Sequence, residues 1–600
     1  MSTPRAPRPP QAGGLDLTTL ALQGGGALFA VGCLLWAGAA TAATLTGNPT
    51  PQGTPVDALR ALAHPQAPAL AWPHPEQLPG PVAYWAATLL VLCVTAVLVV
   101  AAMWVWRRGR RTGDRRLDAI RSLPGMATPH EIHAAAGTPA LRRKAAIVRP
   151  STTATTAPEE VGYRLGQLRG RDLWCTVEDS ALLVGPPRMG KGLHLVIPWV
   201  LDAPGPVVTT STRPDTLTLT LAHRQRRGPV AIFDPQRLAG LPHGLAWSPV
   251  RGCEQPRTAL VRARGLAAGA GFGRTVSDAD FWAGQTETAL RCLLHAAALD
   301  GRGPLDLYRW SLNPVLATDA VTVLNRTPSA DGWADALEAT IHSDPRTRDS
   351  IWLGVRQALA ALADPDVLTA VDPAPGHEFD PTTFLAQSGT LYLLAAAVTS
   401  ASCAPLLAAF VEDITETARA LAARSPGNRL DPPLLLALDE IANLTPLPSL
   451  PSLMAEGGGT GITTLAVLQS LAQARARWGE HQADAIWDAA TVKLVLGGLA
   501  KYRDLDDVAR LLGEIDETTT TRSTGAGGDR STSTSLRTVP VLPASHLRTL
   551  PFGTGVLLLR QTRPAVIDLH PWTTRPDAAD LVAHRTQLEH EALATREEGR

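Results

Sequence analysis

Apolar and polar positions alternate along this chain on two scales. The first hundred residues hold two long apolar runs. No charged residue occurs between Asp16 and Asp57, and "VAYWAATLLVLCVTAVLVVAAMWVW" (Val82 to Trp106) is uncharged throughout. A helix crossing a hydrocarbon core of ~30 Å needs about 20 such residues, so both runs predict spans, at 20–45 and 82–106. Tyr84, Trp85, Trp104 and Trp106 stand near the ends of the second run, where aromatic belts are expected. Beyond them the apolar runs shorten to four to eight residues. Examples are "ALLV" (Ala181 to Val184), "GPVVTT", "PVAIFD", "GTLYLLAA", "LLLAL", "GITTLAVL", "TVKLVLG" and "GVLLLR". Short continuous apolar runs separated by helical periodicity predict a buried, largely parallel sheet. Between about Phe272 and Ala370 the pattern is helical only, as in "WAGQTETALRCLLHAAAL". An all-helical insertion in an α/β core is the simplest arrangement.

Charge orients the spans. Six arginines lie between Arg107 and Arg116, whereas the 46–81 loop has only Arg60. The positive-inside rule then puts both ends in the cytoplasm and the Pro-rich loop outside. The small-residue run "AGAATAATL" after the first span also fits a signal-peptide cleavage site, which would leave the second span and the same cytoplasmic face. The six cysteines are scattered with no C-x-x-C pair, and no H-E-x-x-H occurs, so zinc and disulfide chemistry are set aside. Formal net charge is zero, which gives no global attraction to nucleic acid and leaves local patches open.

Chemistry enters at "GPPRMGKG", Gly185 to Gly192, which follows a short apolar strand and leads into what reads as an amphipathic helix from about Gly190. The pattern is G-x-x-x-x-G-K, with Gly192 where a magnesium-binding Ser or Thr usually follows. Lysine occurs at only four positions in the chain, so Lys191 is not compositional noise. Backbone N–H groups of Gly185, Pro187's neighbours Arg188 and Met189, Gly190, Lys191 and Gly192 would cradle phosphates, Pro186 and Pro187 shape the loop, and Lys191 would reach the β- and γ-phosphates. Asp439 and Glu440 end the leucine-rich strand of "LLLALDEIANL". Asp439 would hold Mg2+ and Glu440 would act as the base on the attacking water. Gln469, ending "GITTLAVLQ", would sense the γ-phosphate or orient water. Arg475, Arg477 and Arg503 are candidate arginine fingers with nothing to choose between them. "ETTTTRSTGAGGDRSTSTS" (Glu517 to Ser535) is low in complexity and predicts a flexible loop.

The order of these parts resembles the TraG/TraD family of type IV secretion coupling proteins. The resemblance rests on the two spans, "GPPRMGKGLHLVIPWVL", "SDADFWAGQTETALRCLLHAA", "LALDEIANL", "VLQSLAQARARWGE" and "RTVPVLPASHLRTLPFGTGVLLLR". It implies a RecA-like P-loop NTPase core (α/β) with an all-helical insertion, ATP and Mg2+ as cofactors, and a homo-hexamer at the inner membrane. It also implies that the protein passes single-stranded DNA with its attached relaxase, or a secreted protein, to secretion channel components. Family members often carry Gly at the position of Gly192, and "TTSTRPD" (Thr209 to Asp215) departs from the family's Asp-Pro-Lys-Gly-like turn. The expected organisation is a cytoplasmic tail (1–19), span (20–45), extracytoplasmic loop (46–81), span (82–106) and basic linker (107–160). The ATPase domain follows in two parts (161–271 and 371–575) around the insert (272–370), with a charged tail at 576–600. An FtsK-type duplex DNA pump and a nucleotide-binding receptor that does not hydrolyse are the competing readings.

Overall fold

The computed structural model describes residues 17–598 except 154, 241–244, 246, 272–278, 375, 377, 396–402, 445 and 525–529, with backbone alone at 17–24, 77, 102–115, 279–280, 519, 521–524, 530–533 and 594–598. Two compact units result, 1–118 and 119–600.

In the first unit, helices Leu17–Thr46 and Pro81–Arg121 contain apolar stretches of 22 and 21 residues, long enough to cross a bilayer. The intervening segment is built of short turns whose Trp72 and Leu78 pack with Leu35, Ala39 and Tyr84. Both helices also tie the segment down by indole hydrogen bonds, Trp36 Nε1 to the Gly53 carbonyl (2.9 Å) and Trp85 Nε1 to that of Pro65 (2.8 Å). Tyr84 is therefore buried between the helices rather than placed in an outward aromatic belt. The side chains of Trp104 and Trp106, and most of the basic run, lie outside the described residues. The backbone there stays helical to Arg121, longer than the expected span; no proline interrupts it between Trp106 and Arg121, and Gly109 and Gly113 are accommodated.

The second unit is organised by thirteen described strands: β1 (Gly162–Leu168), β2 (Arg171–Thr176), β3 (Ala181–Val184), β4 (Val207–Ser211), β5 (Val230–Phe233), β6 (Thr390–Leu394), β7 (Leu434–Leu438), β8 (Ile462–Leu468), β9 (Val492–Leu496), β10 (Glu514–Thr524), β11 (Arg530–Pro540), β12 (Thr554–Leu559) and β13 (Ala565–Asp568). Eleven form one sheet in the order β2-β1-β13-β12-β9-β3-β8-β7-β4-β6-β5. The seven strands from β9 to β5 run parallel, and β12, β13, β1 and β2 extend that edge antiparallel. Strands β3, β4, β6, β7 and β8 are buried at every residue, as continuous apolar runs in a doubly covered parallel sheet should be. This is the expected α/β P-loop core.

The regular elements described between β5 and β6 are all helical, beginning with Pro256–Ala270. That first helix lies directly on core helix Ala404–Ala422: a Cβ at Gly265 would stand 2.6 Å from the Ala409 Cα, and one at Gly269 2.4 Å from the Pro405 Cα. Small residues thus permit backbone-to-backbone packing at the root of the insert. Arg262 of the same helix, buried, pairs with Asp413 at 2.8 Å and lies over the Trp247 ring.

Two expectations need correction. Glu517 to Ser535 does not form a loop in its described part: β10 and β11 pair antiparallel over eleven positions, from Glu514↔Pro540 to Thr524↔Arg530. Alternating Thr and Ser suit a pleated, solvent-exposed ribbon, so β-propensity outweighs low complexity there. The helix after the phosphate loop is not amphipathic. It starts with a π-turn, Gly192–Val196, closed by the Ile197 N–H on the Gly192 carbonyl, and continues through Asp202 with Leu195 to Leu201 buried. Its polar members, His194 and Asp202, share one face with Pro198, and the rest of the helix packs as apolar surface.

Candidate nucleotide site

The topology itself assembles the site. Strand β8 lies between β3 and β7, so the carboxyl ends of three adjacent parallel strands carry the phosphate loop, Gln469 and the Asp439–Glu440 pair. Ligands of open α/β sheets bind at this edge.

The loop is shaped by two left-handed residues, Arg188 (φ 65°) and Gly190 (φ 80°). Arg188 is exposed, whereas Lys191 is buried and its ammonium donates to the Gly185 carbonyl at 2.8 Å. Pro186, Met189 and Gly498 pack together, which backs the loop with the segment after β9. Gly185 is glycine because a Cβ would press on Leu496 at 2.9 Å. At Gly192 an added Cβ would meet nothing nearer than Ile197 Cδ1, at 4.0 Å, so no steric demand excludes a side chain there.

Lys191 and the two carboxylates form one electrostatic unit. Burial lowers the Lys191 pKa, while Asp439 and Glu440 oppose that shift. Burial pushes Asp439 up to about 6, reinforced by Glu440 and opposed by Lys191. A carboxyl with its pKa raised this far is only partly ionised near pH 6, and a cation beside it would draw that pKa back down. Glu440 sits in the left-handed region (φ 50°), an uncommon conformation for such a residue and typical of functional sites. Its Oε1 accepts from Gln469 Nε2 in a long 3.4 Å contact. Strand β4 joins the site from the far side of β7, its Thr210 hydroxyl donating to the Asp439 carbonyl at 2.8 Å.

Lys191, Asp439, Glu440 and Gln469 thus come together. Two partners were not anticipated: Gln473 accepts from the Gln469 N–H (3.1 Å) and its amide donates to Asn443 (2.9 Å), bracing the two catalytic-edge segments. The i, i+4 spacing of Gln469 and Gln473 was the available signal. The arginine candidates separate. Arg475 is held by Asp507 (2.6 Å) and Asp504 (3.3 Å), and Arg477 donates to the Gly269 carbonyl (3.2 Å). Arg503 is the exposed one, with Glu480 at 3.5 Å. In "TTSTRPD", Ser211 ends β4 and Arg213 points to solvent. Among the described residues no cluster of His, Cys, Asp and Glu suits a metal held by protein alone, so Mg2+ here would share its shell with phosphate and water, as that ion commonly does.

Comparison with known proteins matches two segments. Residues 134–251, which include the phosphate loop, match the family described as "Type IV secretory system Conjugative DNA transfer". Residues 433–552, which include Asp439, Glu440 and Gln469, match "TraM recognition site of TraD and TraG". The chain is thus similar to TraG/TraD coupling proteins over both segments, which between them carry every candidate site residue. Its fold agrees: the bacterial conjugative coupling protein TrwBdeltaN70, in its unbound monoclinic form, is 18% identical over 73% of this chain and 92% of its own, with a TM-score of 0.50. Another structure, the plasmid coupling protein TrwB in complex with ADP and Mg2+, is 20% identical over 66% of this chain and 87% of its own, at a TM-score of 0.47. No protein of curated function matches in sequence.

Proposed function

We propose that the protein is a membrane-anchored ATPase that couples DNA with an attached relaxase, or a secreted protein, to a type IV secretion channel and drives its transfer. The observation that carries this reading is the convergence of Lys191, Asp439, Glu440 and Gln469 on three adjacent strand ends. In this reading the phosphates of ATP lie on Gly185 to Gly192, and Lys191 leaves the Gly185 carbonyl for the β- and γ-phosphates. Asp439 would organise the Mg2+ shell, with water in the place a Ser or Thr hydroxyl would have at Gly192. Glu440 is the general base, and Gln469 holds its carboxylate or the attacking water in line. The two N-terminal helices anchor a homo-hexamer in the inner membrane with both chain ends cytoplasmic. The helices between β5 and β6 present a surface for the substrate. A receptor that binds nucleotide without turnover is favoured by one observation, the missing hydroxyl at Gly192.

The deciding experiment is Mg2+-dependent phosphate release by the full chain in detergent, beside Lys191→Ala and Glu440→Gln. Turnover in the wild type and in neither variant supports the ATPase. Tight ATP binding with no turnover supports the receptor.

A further inference from the structure

Arg477, one of the three arginine candidates, is engaged within its own chain. It stands in the last turn of the helix Leu471–Trp478, and its Nη2 donates to the Gly269 carbonyl at 3.2 Å. That carbonyl is at the C-terminal end of Pro256–Ala270, the first helix of the insert, which closes on left-handed Gly271 (φ 63°). A Cβ on Gly271 would come 2.8 Å from the Arg477 Nη1, so glycine there admits the guanidinium as well as the turn. A cation over the last carbonyls of a helix is favoured by the helix dipole. A second tie lies beside the first. The Trp478 Nε1 donates to the Leu447 carbonyl at 2.9 Å, and two residues further on the Ser449 N–H donates to the buried Glu412 Oε1 at 3.0 Å. Glu412 belongs to Ala404–Ala422, the core helix on which the first insert helix lies.

The opposite end of the same helix meets the candidate catalytic residues. Ser470 caps it, its hydroxyl accepting from the Gln473 N–H at 3.2 Å, and the residue before that cap is Gln469. Gln473 holds the Gln469 N–H and, through its amide, Asn443 in the turn that follows Glu440. Gln473 and Arg477 are four residues apart, on one helix face and separated by a rise of ~6 Å. No glycine or proline between them absorbs a displacement. The slack member is the Gln469–Glu440 contact, at 3.4 Å. A terminal phosphate beside Gln469 would replace that long contact by a charge-assisted one. An ordered Gln469 then restrains Gln473, and Arg477 carries the restraint to the Gly269 carbonyl. Ordering at one site lowers the freedom left to lose at the other.

We propose that the helix Leu471–Trp478 reports the nucleotide to the helical insert, with Arg477 as the positioning residue at its far end. The coupling is reciprocal, so a ligand that fixes the last turn of Pro256–Ala270 also steadies Gln469 at Glu440. The assignment rests on the nucleotide reading of the phosphate loop.

Amide hydrogen exchange of the full chain in detergent tests it, with and without the non-hydrolysable analogue adenylyl imidodiphosphate. The analogue is used at a concentration that calorimetry shows to saturate each protein. In the wild type it is expected to slow exchange in the last turn of Pro256–Ala270 about fivefold, the effect of one hydrogen bond of ordinary strength. Arg477→Gln removes the cap, so the same turn exchanges faster at rest. Gln473→Ala breaks the link at the other end and leaves the cap in place. Both variants are expected to lose the slowing. Slowing that survives in Gln473→Ala overturns the link and leaves Arg477 a helix cap. A wild type that binds the analogue without slowing overturns it as well, with the phosphate loop left standing. If calorimetry shows no binding to the wild type, the nucleotide reading itself fails and the link falls with it.

Discussion

Gly192 is the one place where the phosphate loop departs from its usual pattern, and the structure makes the departure testable. An added Cβ has open space to 4.0 Å, and the residue is not in the left-handed region. It opens the π-turn, so glycine there costs helix stability, about 0.5–1 kcal/mol relative to Ala. Gly192→Ala is therefore expected to stabilise the nucleotide-free protein by about that amount, and Gly192→Ser by roughly half of it, following their helix propensities. The two variants differ by a hydroxyl, which separates the backbone effect from metal binding. If that hydroxyl replaces a water on Mg2+ at a net gain of ~1 kcal/mol, the Mg2+ concentration that half-saturates ATP binding falls about fivefold in Gly192→Ser relative to Gly192→Ala. Thermal melts read the first effect, and Mg2+ titrations at fixed ATP read the second. Loss of stability in Gly192→Ala would refute the steric argument. Identical Mg2+ titrations would refute the placement of the cation beside Gly192.

Other consequences follow from the same geometry. Gly265→Ala gains helix propensity but forces a Cβ to 2.6 Å from the Ala409 Cα, so a net loss of about 1–3 kcal/mol is expected by urea denaturation. Lys191→Ala removes a charge-assisted contact to phosphate and is expected to weaken tripolyphosphate binding on the order of 10- to 100-fold, measured by calorimetry. Burial raises the Asp439 pKa to about 6 in the folded protein, against 3.8 for an ordinary aspartate. Its contribution to the stability of the nucleotide-free protein is thus fully present below pH 3.8 and is lost as pH rises through 6. Urea midpoints are expected to show the wild type losing stability relative to Asp439→Asn between pH 4.5 and 7.5, while Mg2+ affinity rises over the same range as the carboxylate forms.

Much of the core was legible because its signals are local. The apolar strands β3 to β9 are recognisable as short runs within about two residues of their ends, and the chemistry-bearing residues follow directly from them: Gly185 after "ALLV", Asp439 after "LLLAL", Gln469 near the end of "GITTLAVLQ". What was not legible depends on long-range pairing. Strands β1, β2 and β13 hold charged or polar residues such as Arg164, Arg171 and Asp568, and are strands because they extend the edge of an existing sheet. The β10–β11 ribbon was hidden by low complexity, although its Thr and Ser residues favour a pleated strand. Tyr84 reads as an interfacial aromatic by position, and only the folded loop shows that it packs against Leu35. His194 has no motif value at all; its place beside Gly190 and Phe552 depends on a turn more than 350 residues further along the chain.

The proposed coupling of ATP hydrolysis to DNA is tested most directly by phosphate release from the full chain in detergent with Mg2+ and no DNA, single-stranded DNA or duplex DNA. The account predicts hydrolysis that single-stranded DNA stimulates most and that Lys191→Ala and Glu440→Gln both abolish. Turnover indifferent to DNA, or surviving in Glu440→Gln, would contradict it.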